Sequence, residues 1–161
     1  MKIVFLDIDG VLNTPKTQEH CGIYLGIDDD KIKLLKQIIE STGAIIILVS
    51  TWSNGWFANE KDKKYQDDLA NYLDKKMLAY GLKISSSLKS STKCFRGEQV
   101  TERLELLKRN GVFVDSFVII DNAKEEYDLH KFGNNICVTD ENIGLTMDLS
   151  KNIIDTLNSH S

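Results

Sequence analysis

Asp7 and Asp9 stand two residues apart in Asp7-Ile8-Asp9-Gly10, directly after the apolar run Ile3–Leu6. A third carboxylate, Asp121, follows a second apolar run, Phe117–Ile120, and Ser50 follows a third, Ala44–Val49. Carboxylates brought together from two such runs repel at close range. Their charge needs a cation, or one of them must hold a proton. All-oxygen ligands of this kind suit Mg²⁺, which keeps several waters and takes one or two protein carboxylates plus substrate phosphate. One such aspartate would be an ordinary polar strand end. Carboxylates from two strands, with a hydroxyl from a third, point to a site.

For these residues to meet, the apolar runs must be neighbouring strands that point the same way. Lys2–Leu6, Ala44–Val49, Leu82–Ile84, Phe117–Ile120 and Ile136–Val138 read as short buried strands. Helical patterns lie between them. Asp28–Asp30 can cap a helix striped by Ile32, Leu35, Ile38 and Ile39, which Gly43 stops. A second helix carries Tyr65, Leu69, Tyr72, Leu73 and Met77, a third spans Glu98–Arg109, and a fourth Ala123–Lys131. Thr146 caps a last one, striped by Leu149, Ile153, Ile154 and Leu157. This alternation predicts an α/β fold around a parallel sheet with right-handed crossovers. In such sheets ligands bind beyond the C-terminal strand ends, where Asp7, Ser50 and Asp121 fall. Residues 10–27 read as an excursion or small flap, and 85–93, with five Ser, as a flexible loop.

Three segments carry a resemblance to a known family. Phe5-Leu6-Asp7-Ile8-Asp9-Gly10-Val11-Leu12-Asn13 is similar to the first motif of the haloacid dehalogenase (HAD) superfamily. Ile45–Ser50 resembles its second motif, an apolar strand ending in Ser or Thr, and Val118–Asn122 its fourth. Within the superfamily the chain looks most like the HAD domains of Swiss army knife RNA-repair proteins. The shared features are the start itself, Ser50-Thr51-Trp52, Arg96-Gly97-Glu98 and Gly144-Leu145-Thr146. The resemblance covers nearly the whole chain and implies one Rossmann-like domain over 1–161, with about five parallel strands in the order 3-2-1-4-5, flanked by helices.

It also implies phosphoryl transfer. Asp7 would be the nucleophile that forms an aspartyl-phosphate. Asp9 would protonate the leaving oxygen and then activate water. Mg²⁺ would be held by Asp7, Asp121 and the backbone carbonyl of Asp9. Ser50, or alternatively Thr51, would bind phosphoryl oxygens, with the loop at Gly10 against the substrate. The third motif asks for a cation before the fourth-motif strand, which Arg96 or Lys93 can supply, Arg96 being preferred. Asn122 stands where many members carry a second acid, and Glu125 or Glu126 could compensate through water. The expected activity is a Mg²⁺-dependent phosphatase acting on a phosphomonoester. The narrower reading is a nucleotide or nucleic-acid-end phosphatase, and the non-enzymatic alternative a phosphate- or RNA-binding module.

No full cap domain fits between Asp9 and Ser50, so the site should be minimally capped and open. Lys83–Arg109 holds seven cations against three acids. That local excess could grip a polyphosphate or a nucleic-acid end. Elsewhere the bland readings are favoured. Trp52 and Trp56 are expected to pack rather than stack on a base, and His20, His130 and His160 to be surface residues.

At 161 residues the chain is long enough for one real core without staples. Its 42% apolar and 27% charged residues exclude overall disorder. A net charge of -4 argues against a broad nucleic-acid or membrane surface. No apolar run approaches the roughly 20 residues of a spanning helix, and the start does not read as a signal peptide. Cys21, Cys94 and Cys137 form no CxxC pair, which suits reduced thiols in the cytoplasm. No obligatory protein partner is evident.

Overall fold

In the computed structural model, which describes residues 1–159, the apolar runs form one five-stranded parallel sheet. Its strands are β1 (Lys2–Leu6), β4 (Ile45–Leu48), β5 (Ile84–Ser87), β6 (Ser116–Asp121) and β7 (Ile136–Val138), in the order β5-β4-β1-β6-β7. That is the 3-2-1-4-5 order expected. A separate two-stranded hairpin, β2 (His20–Cys21) with β3 (Tyr24–Leu25), falls inside the 10–27 excursion. The helices are α1 (Asp29–Thr42), α2 (Asp68–Ala79), α3 (Arg96–Arg109), the single turn α4 (Leu129–Phe132) and α5 (Met147–Asn158).

Strand alternation divides the core in two. Val4 and Leu6 pack on one face with Ile32, Leu35 and Ile38 of α1, Leu73 and Met77 of α2, and Ile153 and Leu157 of α5. Ile3 and Phe5 pack on the other with Val100 of α3, Tyr127 and Phe132. Both faces of β1 are therefore dry, which is why its sequence is continuously apolar rather than alternating. Leu35 is fully buried in α1, and truncating it to Ala should cost about 2–5 kcal/mol.

Three elements differ from the sequence expectation. The strand expected at Leu82–Ile84 lies further along, at Ile84–Ser87. Its serines pair with β4, Ile47 opposite Ser86 and Leu48 opposite Ser87, and Arg103 donates to Ser86 Oγ and the Ser87 carbonyl, each at 2.8 Å. Backbone pairing and a guanidinium from α3 thus override low strand propensity in what reads as a loop. The helix expected at Ala123–Lys131 is a 3₁₀ turn, Lys124–Glu126, followed by α4. Tyr65 belongs to a 3₁₀ turn, Glu60–Tyr65, and α2 begins after Asp67, whose carboxylate accepts from the Ala70 amide.

The 10–27 excursion is tied down from both sides. Asp28 sits at the N-cap of α1, but its carboxylate accepts from Thr17 Oγ1 at 3.0 Å instead of capping the helix. Tyr72 on α2 accepts from the Ile27 amide at 2.9 Å and donates to Glu19. Among the described residues no helix is long and apolar enough to cross a membrane.

Candidate active site

Register decides which side chains meet. Leu6 of β1 pairs with Leu48 of β4 and Ile120 of β6. The next residues, Asp7 just past β1 and Asp121 at the last position of β6, therefore lie side by side, with Ser50 close behind Leu48. The chain order reverses on either side of β1, so this is the switch point of the sheet. Gly10 turns the chain away at φ 79°, and a Cβ there would meet the Asn122 side chain at 2.7 Å. No other residue lets the first-motif loop lie so close to β6.

Asp7 and Asp121 are 3% and 0% exposed. Arg96, the first residue of α3, reaches both: its Nη1 donates to Asp121 Oδ2 at 2.8 Å and lies 3.5 Å from Asp7 Oδ2. Asp121 is held further by the Tyr127 hydroxyl on Oδ2 at 2.6 Å and by the Ala123 amide on Oδ1 at 2.9 Å. Two buried carboxylates thus share one guanidinium. Burial, and then the charge of Asp121, push the Asp7 carboxyl up to about 8, against the pull of Arg96. Burial alone would weaken the Arg96 cation, but the charges of Asp7 and Asp121 outweigh it and raise its pKa. Burial and the Asp121 charge also raise the Tyr127 hydroxyl, which stays a donor. Gly97 makes this packing possible, because a Cβ on it would lie 3.1 Å from the Glu126 carbonyl oxygen.

Asp9 lies apart from that cluster. Its residue is exposed, and each carboxylate oxygen accepts one N–H: Oδ1 from Asn13 Nδ2 at 2.9 Å and Oδ2 from Trp52 Nε1 at 3.1 Å. Its backbone carbonyl accepts no hydrogen bond among the described residues. Ser50 is buried, and its Oγ accepts from the Trp52 amide at 3.1 Å. Thr51 is exposed. Both line a cleft of about 270 Å³ together with Lys89, Cys94, Arg96 and Glu126. A larger groove, about 820 Å³, runs along α3 past Lys93, Glu102 and Tyr127 but touches neither Asp7 nor Asp121.

Of the two cations expected for the third motif, the structure brings Arg96 to the aspartates and leaves Lys93 exposed in that groove. The sequence reading missed Tyr127, which has no motif to announce it and meets Asp121 only through the turn after β6. It also took Trp52 for packing alone. The residue is indeed 4% exposed, so no base can stack on it, but its indole N–H is spent on Asp9. Glu126 accepts from the Arg96 amide at 3.1 Å through one carboxylate oxygen and also lines the cleft with Ser50 and Arg96. His20 and His130 are exposed, and His160 lies outside the described residues.

The basic segment Lys83–Arg109 does not form one patch. Lys83 precedes β5, at the end of the sheet away from the site, and Lys108 and Arg109 close the far end of α3. Arg103 is committed to β5. Lys89 donates to the Trp56 carbonyl and lies 3.8 Å from the Phe57 ring centroid.

The donor set fits a hard divalent cation. Two carboxylates, Asp7 raised by burial and then by its neighbour's charge, together with an unengaged carbonyl at Asp9, offer only oxygen ligands. No group of three or more His, Cys, Asp or Glu side chains is placed to hold a metal ion by itself among the described residues. Mg²⁺ does not need one, because it fills its octahedron with water and substrate oxygens.

The model of one family, described as the HAD domain in Swiss Army Knife RNA repair proteins, matches residues 3–149. No curated protein and no solved structure matches the chain.

Proposed function

The chain belongs to the family of HAD domains in Swiss Army Knife RNA repair proteins, and on that premise we propose a phosphohydrolase that cleaves a phosphomonoester by way of an aspartyl-phosphate. The observation that carries the reading is the buried Asp7–Asp121 pair bridged by Arg96 at the C-terminal ends of β1 and β6. Burying two carboxylates against one cation works against stability. Carboxylates perturbed by burial and a charged neighbour concentrate at functional sites.

In the first half-reaction an Asp7 carboxylate oxygen attacks phosphorus. The bond to the leaving oxygen breaks, and Asp9 gives that oxygen a proton. In the second, water attacks the same phosphorus, Asp9 takes its proton, and the bond to Asp7 breaks to release phosphate. Arg96 has N–H donors beyond the one on Asp121 and stands on the cleft with Ser50 and Thr51, where phosphoryl oxygens would lie. Asp7, Asp121 and the Asp9 carbonyl would hold Mg²⁺, which when bound would neutralise charge on the phosphoryl oxygens and between the carboxylates. The open cleft suits an extended substrate, a nucleotide or a nucleic-acid end. The unpaired cysteines are consistent with a reducing cytoplasm.

Hydrolysis of an aryl phosphate with Mg²⁺, lost on chelation and in Asp7→Asn, is the expected result. Phosphate binding without turnover would replace the enzyme by a binding module. A panel including 5′- and 3′-phosphorylated RNA then ranks substrates by kcat/KM.

A further inference from the structure

A general acid on a surface loop has a problem that a buried nucleophile lacks. Solvent offers its carboxylate several rotamers, and only one of them faces the leaving oxygen. In this protein the rotamer is fixed from two sides. Asn13 Nδ2 holds Asp9 Oδ1 at 2.9 Å and Trp52 Nε1 holds Oδ2 at 3.1 Å. Both donors are themselves immobile. Asn13 is 1% exposed, its Oδ1 accepts from the Gly10 amide at 3.0 Å, and its Nδ2 also donates to the Gly26 carbonyl at 2.9 Å. Trp52 is 4% exposed, lies with its ring centroid 6.3 Å from that of Tyr72, and has its amide on Ser50 Oγ at 3.1 Å.

We propose that Trp52 is a positioning residue for the reaction: through its indole N–H it aims the Asp9 carboxylate, and through its amide it ties that aim to the phosphate-side hydroxyl of Ser50. The proposal rests on the phosphatase reading above. One side chain then couples two stations of the chemistry that arise from different strands, Asp9 after β1 and Ser50 after β4. Each oxygen of Asp9 gives one lone pair to a fixed donor and keeps another for the proton it exchanges with substrate or water. Asn13 does the same from the other side but also closes the Gly10 turn, so its replacement would disturb the loop itself. Trp52 offers the cleaner test, because Trp52→Phe keeps an aromatic ring in the core and removes the donor.

The experiment compares wild type, Trp52→Phe, Asp9→Ala and the double variant on an alkyl phosphate and on an aryl phosphate with a good leaving group. The alkyl substrate needs the proton and the aryl one does not. Trp52→Phe is expected to lower kcat/KM about 10-fold on the alkyl phosphate, with little change in kcat/KM on the aryl phosphate, because kcat/KM reads the step in which the leaving group departs and not the later attack of water, which Asp9 assists for both substrates alike. In the Asp9→Ala background the same change should do nothing more, because the residue it works through is gone. A merely structural tryptophan would give equal losses on both substrates and a further loss in the double variant, and either result overturns the proposal.

A second measurement needs neither turnover nor a foldable Trp52→Phe. In a ¹H–¹⁵N spectrum of the Asp9→Ala protein, the assigned Trp52 indole cross-peak should move while that of Trp56, which donates to Asp74 Oδ1 at 2.9 Å, stays in place. An unmoved Trp52 cross-peak overturns the proposal. Absence of wild-type turnover on every substrate would instead overturn the phosphatase reading beneath it.

Discussion

Asp7 and Asp9 are two residues apart in one loop, yet the molecule treats them oppositely. Asp7 is buried beside a second carboxylate, and its charge is disfavoured until a cation relieves it. Asp9 reaches the surface, and its charge is met by neutral N–H donors on fixed side chains. Strand geometry accounts for the split. Asp7 continues β1 into the sheet's end and meets β6, whereas Gly10 bends the chain so that Asp9 faces the turn carrying Trp52. The same residue type thereby sits in two environments, one carboxylate among ions and one among dipoles, which suits the nucleophile and acid roles proposed for them.

The largest effect is expected at Asp7. Asp7→Asn should reduce turnover to background, because no covalent intermediate can form. It should also leave the melting temperature of the chelated protein level or higher, since the isostere removes repulsion with Asp121. Pure Asp7→Asn protein that still hydrolyses an aryl phosphate would exclude the covalent route. Asp9→Asn should cost less, about 10²–10⁴-fold. That loss, read in kcat/KM, should shrink as the leaving group improves, which a series of substituted phenyl phosphates would show as a changed slope.

Asp121 bears on the metal. Asp121→Asn should raise the Mg²⁺ concentration needed for half-maximal binding by at least about 10-fold, a loss that changes beyond the ligands alone can produce. Calorimetric Mg²⁺ titration reads this without turnover. An unchanged titration would move the metal away from β6.

How much of this was legible in the sequence follows from the same contrast. Asp7, Asp121 and Ser50 could be placed because each ends an apolar run, and one parallel sheet puts all such ends on one side. The strand order followed from the family resemblance. Tyr127 and the Trp52 donor could not be read, because their roles depend on side-chain direction after a turn and not on periodicity. Ser85–Ser87 misled for a related reason: β5 is a strand because β4 and Arg103 make it one, not because serine favours it.

A smaller effect concerns pH. The folded carboxyl of Asp7 is raised to about 8, whereas in the unfolded chain it titrates near its ordinary value of about 4. The native state therefore binds the proton more tightly over that interval. Stability from this group is complete below about pH 4 and declines as pH rises toward about 8. Chelated wild type should lose melting temperature across that window relative to Asp7→Asn, and Mg²⁺ should suppress the difference. Parallel pH curves for the two proteins, without metal, would mean that Asp7 is not under the strain its burial implies.

The smallest expected effect is at Lys83. Sequence grouped it with Arg96 in one basic segment, but β5 and α3 run in opposite directions between the two ends of the molecule. Lys83 precedes β5 at the end opposite the site, while Arg96 begins α3 beside Asp121. The 14 residues of α3 alone span about 21 Å, more than two Debye lengths of about 8 Å at physiological ionic strength. Lys83→Ala should therefore leave kcat/KM unchanged on an aryl phosphate and on a phosphorylated oligonucleotide alike, at low and moderate salt. A long oligonucleotide that wraps the edge of the sheet would reveal itself differently. It would lose affinity in Lys83→Ala with a shallower salt dependence, while a phosphorylated dinucleotide would not. That pattern would turn the edge strand β5 from a remote border into part of the substrate's path.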